Sequence, residues 1–171
     1  MAITDILRQE HANIMESLQE IVDEIDDIRV TGRVNAERLS NLVELHNFVH
    51  NSHYSKELNC LYAILERKYE LKGTTLPTSA LLDEQGEGQH LMHMISVSLP
   101  SAICGERAAV ETVLDSLLSY VSLMKSHVAR EEASFSIFAN SVLTEADGEA
   151  IARALASLKA KEDERRPFKF F

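Results

Sequence analysis

The chain has 171 residues, 45% of them hydrophobic, with 27 Asp and Glu against 17 Lys and Arg and a formal net charge of −10. That length supports one core, and no Pro/Gly/Ser-rich stretch divides it, so a single domain over residues 1–171 is expected. The acidic balance argues against nucleic acid or an anionic membrane surface as partner, because both require clustered cations.

Charges within MAITDILRQE speak against a secretory leader, and no apolar run approaches the roughly 18 residues of a membrane span; a cytoplasmic protein is expected. From Thr4, a plausible N-cap, apolar residues recur at Leu7, Ile14, Leu18, Ile21, Ile25 and Ile28, the stripe of a long helix that also contains His11. Gly32 in VTGRVN supplies a turn. A second helix runs from about Asn35 to about Leu71 and turns Leu39, Leu42, His46, Val49, His53, Glu57, Cys60 and Ile64 inward. KGTTLPTS reads as a loop. The third helix starts near Ser79 or Ala80, carries Leu81, Gln85, Gly88, Met92, Ile95 and Leu99 on one face, and ends by about Pro100. The fourth, from about Arg107 to Leu143, turns Leu114, Leu117, Tyr120 or Val121, Met124, His127, Glu131, Ser134 and Phe138 inward. Thr144 and Asp147 form a capping-box variant that opens a short fifth helix through Ile151, Leu155 and Leu158, before a charged segment and the tail PFKFF. The expected fold is all-α: an up-down-up-down four-helix bundle over about 4–143, with the fifth helix and tail over 144–171 as an appendage.

Two of these stripes turn polar where a core should be dry. At about 100° per residue, His46, His50, His53 and Glu57 fall within an arc of about 60° on the second helix. The HxxxE pair occurs twice, as His53 with Glu57 and His127 with Glu131, and His11 faces the same axis from the first helix. Uncompensated carboxylates in a low-dielectric core cost several kcal/mol each, so two at one level demand cations or protons. Two metal ions satisfy both. Imidazoles and bridging carboxylates without thiolates suit iron or manganese, with zinc or another divalent ion as an alternative, and a di-iron centre is the leading expectation. Cys60 and Cys104 belong to no CxxC pair and are expected as buried thiols. His46, His90 and His93 read as surface or flank residues, and Met92, Met94 and Met124 as filler.

The segments EHANIMESL, FVHNSHYSKELNCLYAILE and YVSLMKSHVAREEASFSIF, in this order, resemble the hemerythrin-like proteins with an HHE cation-binding domain over residues 4 to about 147. The resemblance implies that His11 and His53 bind one iron and His127 the other, with Glu57, Glu131 and an oxo or hydroxo group bridging them. In the third helix EQGEGQ is similar to the family's EHEEGR, with Pro77 and Gly88 in register, so Gln85 stands where a ligand histidine belongs and Gln89 where oxygen carriers have another. His90 lies about 140° around that helix from Gln85 and does not replace it. With at best the weaker amide oxygen of Gln85, the second site is open to partial or single occupancy. His50 is expected as a hydrogen-bond partner behind His53, and Tyr120 as the tyrosine lining the site.

These readings imply a non-heme di-iron protein that binds or reacts with O2, NO or peroxide at an open coordination position. The alternatives are an iron-binding, storage or sensing protein without catalysis, and a metal-free interaction bundle. No catalytic residue is assigned, enzyme activity is left undecided, and a homodimer is left open.

Overall fold

The computed structural model describes the backbone of residues 3–70, 78–141 and 143–165, and side-chain environments over 3–68, 82–133 and 143–160. All described secondary structure is helical. Helix α1 spans Ile3–Thr31. Helix α2 is a continuous rod whose segments are Ala36–Phe48, Val49–His53, Tyr54–Lys56, Glu57–Tyr62 and Ala63–Glu70. Helix α3 spans Thr78–Ile103, α4 Arg107–Ser141 and α5 Glu145–Arg165.

Local chemistry sets these ends. Gly32, with φ of 66°, adopts the left-handed turn that a side chain would strain, and its N–H closes on the Ile28 carbonyl at 2.8 Å. Asn35 then caps α2, its Oδ1 accepting from the N–H groups of Glu37 and Arg38 at 3.0 and 3.3 Å. The buried Glu24 ties this corner to α1 by accepting from the Asn35 N–H at 2.7 Å and from Arg38 at 3.3 Å. The expected capping box opens α5: the Thr144 N–H donates to Asp147 Oδ2 at 2.7 Å and the Asp147 N–H to Thr144 Oγ1 at 3.4 Å.

Several expectations require correction. Thr4 lies within α1, one residue past its first described position, and is buried, rather than standing ahead of the helix as its cap. Pro100 does not stop α3: its fixed φ suits a helix, the missing N–H costs one bond, and the chain continues to Ile103 before Gly105, with φ of 82°, turns it. Cys60 is buried as expected, but Cys104, beside that turn, is exposed. Helix α5 is no loose appendage. It packs on the Tyr54–Lys56 and Glu57–Tyr62 segments of α2, buries Ile151, and pairs Asp147 with Lys68. The side chains of Leu81, Ser134 and Phe138 and the tail PFKFF lie outside the described residues.

Helix α1 contacts α2 and α4, and α3 contacts α2 and α4. The apolar stripes close into two clusters. One gathers Ile14, Leu18, Ile21 and Ile25 with Leu39, Leu42, Ile95, Leu117, Tyr120 and Met124. The other joins Ile3 and Leu7 to Leu61, Leu65 and Ile151. His11 falls between Leu7 of one cluster and Ile14 of the other, and His53 with Glu57 between Val49 and Leu61. The polar layer is therefore sandwiched between two dry ones.

Candidate metal centre

The middle of α2 departs from regular α-helical winding at the residues with site chemistry. Val49–His53 and Glu57–Tyr62 are π turns, with the Tyr54 N–H reaching back to the Val49 carbonyl. Each π turn inserts a residue and rotates the downstream part of the helix against the upstream part, and such bulges concentrate at functional positions. The single face expected for His46, His50, His53 and Glu57 is thus split. His53 and Glu57 are fully buried, whereas His46 and His50 are half-buried and face elsewhere.

Ligand atoms from His11, His53, Glu57 and Glu131 lie within 4.8 Å of one another, and all four residues are buried. His11 Nε2 stands 3.1 Å from Glu131 Oε2, and His53 Nε2 2.9 Å from Glu57 Oε1. His127 is equally buried and adjoins this cluster, its Nε2 3.5 Å from Glu131 Oε2. The Tyr62 hydroxyl donates to Glu131 Oε1 at 2.5 Å. The Tyr54 ring stands edge-on to His127, with centroids 5.3 Å apart.

Behind the imidazoles stands a second rank of acids. His11 Nδ1 meets Glu132 at 2.7 Å, His53 Nδ1 meets Glu10 at 3.0 Å, and His127 Nδ1 meets Glu84 at 2.7 Å. An ionised carboxylate only accepts, so each Nδ1 carries the hydrogen and each Nε2 is turned to the interior. None of these acids is expected from the sequence reading. The signal available is their adjacency to the site residues, in Glu10–His11, Glu84–Gln85 and Glu131–Glu132.

Electrostatics show how much positive charge this layer requires. Burial disfavours charge on His11, but the carboxylates of Glu131, Glu57 and Glu132 outweigh it and raise its pKa to about 10. His53 is likewise opposed by burial yet raised to about 9 by Glu10 and Glu57. Burial pushes Glu57 up, but His11 and His53 hold it well below the carboxylate range. Glu131 moves up, from burial and from the charge of Glu57. Without a metal ion, protons on His11 and His53 offset the inner carboxylates.

The donor set fits metal ions. Among the described residues, His53 Nε2, both carboxylate oxygens of Glu57 and His127 Nε2 are buried without a hydrogen-bond partner. A buried polar atom left unpaired costs roughly 1–3 kcal/mol, so this group of orphaned atoms is a strong demand for a ligand. His53 Nε2 and Glu57 Oε1 approach to 2.9 Å without hydrogen-bond geometry, an arrangement that repels unless a proton or cation stands between them. Nitrogen and carboxylate donors without thiolate suit iron, manganese or zinc.

Of the residues expected at the site, His11, His53, Glu57 and Glu131 come together and His127 borders them. The Gln85 amide nitrogen is buried and unpaired; it has no lone pair for a metal ion, so a ligand role there would fall to the amide oxygen. His50 does not stand behind His53, where Glu10 is instead; its ring contacts the Gln89 amide at 2.9 Å. Tyr120, fully buried, directs its hydroxyl to His46 Nδ1 at 3.3 Å, and Tyr62 is the tyrosine bonded to Glu131. His90 and His93 are exposed, as expected. Burial raises the Cys60 thiol, which disfavours its thiolate.

Helices that bury imidazoles and carboxylates between two apolar layers place a candidate cation site inside an all-helical protein. The family model for the hemerythrin HHE cation binding domain matches residues 2–139, and the chain belongs to that family. No curated protein and no solved structure matches the chain.

Proposed function

We propose that the chain is a non-heme di-iron protein, a single up-down-up-down bundle with a docked fifth helix, that binds or reacts with a small ligand such as O2, NO or peroxide. The observation carrying this reading is the set of buried, unpaired donor atoms on His53, Glu57 and His127 beside His11 and Glu131. His11 and His53 would hold one ion and His127 the other, with Glu57 and Glu131 shared between them. Bound iron would supply an electron-rich centre able to bind a diatomic molecule or reduce an oxidant.

The protein's own residues set the conditions for that chemistry. The Leu7 and Ile14 layers exclude bulk water, Tyr62 fixes Glu131 through its hydroxyl, and Gln85 presents a neutral amide where an imidazole would bind more strongly. The weaker donor would leave a position open to ligand. A net charge of −10 favours a small molecule over nucleic acid as partner.

The test is anaerobic reduction of the iron-loaded protein followed by stopped-flow exposure to O2, NO and peroxide with visible detection. New ligand-dependent absorption supports the reading; spectra that never change refute it. A second reading, reversible iron binding or sensing with one ion, is favoured by His127 standing outside the tight four-residue cluster. It would give one iron per chain and rapid loss to a mild chelator.

A further inference from the structure

The same arrangement occurs three times around the polar layer. On α2, His53 and Lys56 enclose Glu10 of α1: the imidazole is at 3.0 Å from Oε2 and the ammonium at 2.6 Å from Oε1. On α1, Arg8 and His11 enclose Glu132 of α4, with Arg8 Nε at 3.3 Å from Oε2 and His11 Nδ1 at 2.7 Å from Oε1. On α4, His127 and Arg130 enclose Glu84 of α3, with His127 Nδ1 at 2.7 Å from Oε2 and Arg130 paired with Oε1. In each case a histidine and a cation three residues apart share one face of a helix and take the two oxygens of one glutamate from a neighbouring helix.

We infer that Glu10, Glu84 and Glu132 are positioning residues for the metal centre, each fixing the Nδ1–H tautomer of one imidazole from across a helix interface while Lys56, Arg130 and Arg8 hold the second carboxylate oxygen and keep the acid aimed. This rests on the reading of His11, His53 and His127 as metal ligands. A neutral imidazole has two tautomers, and only the one with hydrogen on Nδ1 turns the Nε2 lone pair inward. A carboxylate enforces that choice and makes the ring a better donor. The acid always comes from another helix, so the ligands are oriented only when α1 meets α2, α4 meets α1 and α3 meets α4. An isolated exposed ion pair contributes little, but these carboxylates are not isolated, and their hold should follow their burial. The side chains of Glu84 and Glu10 are 10% and 14% exposed, against 37% for Glu132.

The experiment is titration of the purified full-length chain with Mn(II), followed by EPR, for wild type and for Glu10→Ala, Glu84→Ala and Glu132→Ala. Loss of an outer acid typically weakens metal binding about 10- to 100-fold. Glu10→Ala should approach the upper figure for the first ion and Glu132→Ala the lower. Glu84→Ala should weaken the second binding step and leave the first unchanged. Glutamine at the same positions keeps an acceptor for Nδ1–H without the charge and should restore part of the affinity. Long-range 1H–15N spectra of the Zn(II)-loaded wild type need no variant and should show hydrogen on Nδ1 of all three rings. Unchanged affinity in folded variants, or Nε2–H tautomers in the wild type, would overturn the inference alone. A wild type that binds no ion would overturn the metal reading and this inference with it.

Discussion

Loading the protein with a divalent ion should expel protons, because metal and protons compete for the same imidazole nitrogens. His11 and His53, with pKa values raised to about 10 and about 9, are each more than about nine-tenths protonated at pH 7.5. Coordination needs their Nε2 lone pairs, while Nδ1–H stays on Glu132 and Glu10. The first ion should therefore release about two protons. Two protons correspond to about a 100-fold gain in apparent affinity per pH unit, or about 2.7 kcal/mol, levelling off above pH about 10. Calorimetry with Mn(II) at pH 6.5 to 8, in buffers of different ionisation enthalpy, yields both the proton count and the slope. Fewer than about one proton released, with affinity flat across this range, would refute the assignment of His11 and His53 as buried cations that the ion displaces.

The folded pKa values of His11 and His53 lie above their ordinary 6.5, so their contribution to metal-free stability is complete below pH 6.5 and lost as pH rises through 9 to 10. Circular-dichroism melts should show that alkaline decline without metal, and much less of it once the imidazoles are coordinated. Gln85→His supplies the stronger donor, and Mn(II) titration should show the second ion binding at least about tenfold more tightly; an unchanged second step would mean that the side chain does not reach the ion. Leu65→Ala, at a fully buried position in the cluster shared with Ile151, should cost about 2–5 kcal/mol in urea unfolding.

The helices are legible in the sequence because burial of one face imposes a three-and-four spacing on α1 and α4, and because Gly32, Asn35 and the Thr144–Asp147 pair are strong end signals. The site is legible for a related reason: His53 with Glu57 and His127 with Glu131 sit one turn apart, a spacing the winding of α2 preserves even though it is not regular. Where that winding does change, the reading fails. Nothing in HNFVHNSHYSKELNCLY marks the two π turns, so regular winding gives His50 the wrong neighbour. The outer acids escape as well. The histidine–cation pairs can be read along single helices, but the glutamates they enclose come from other helices, and their pairing depends on tertiary register. Pro100 shows that a local breaker yields when only one bond is lost near the end of a long helix.

Diffraction from crystals of the iron-loaded protein, with anomalous data collected on both sides of the iron edge, tests the central claim most directly. Two peaks are predicted between the helices, one within bonding distance of Nε2 of His11 and His53 and the other near Nε2 of His127, with Glu57 and Glu131 between them. An iron-treated crystal with no anomalous peak in that layer, its imidazoles and inner glutamates placed as they are without metal, would contradict the account.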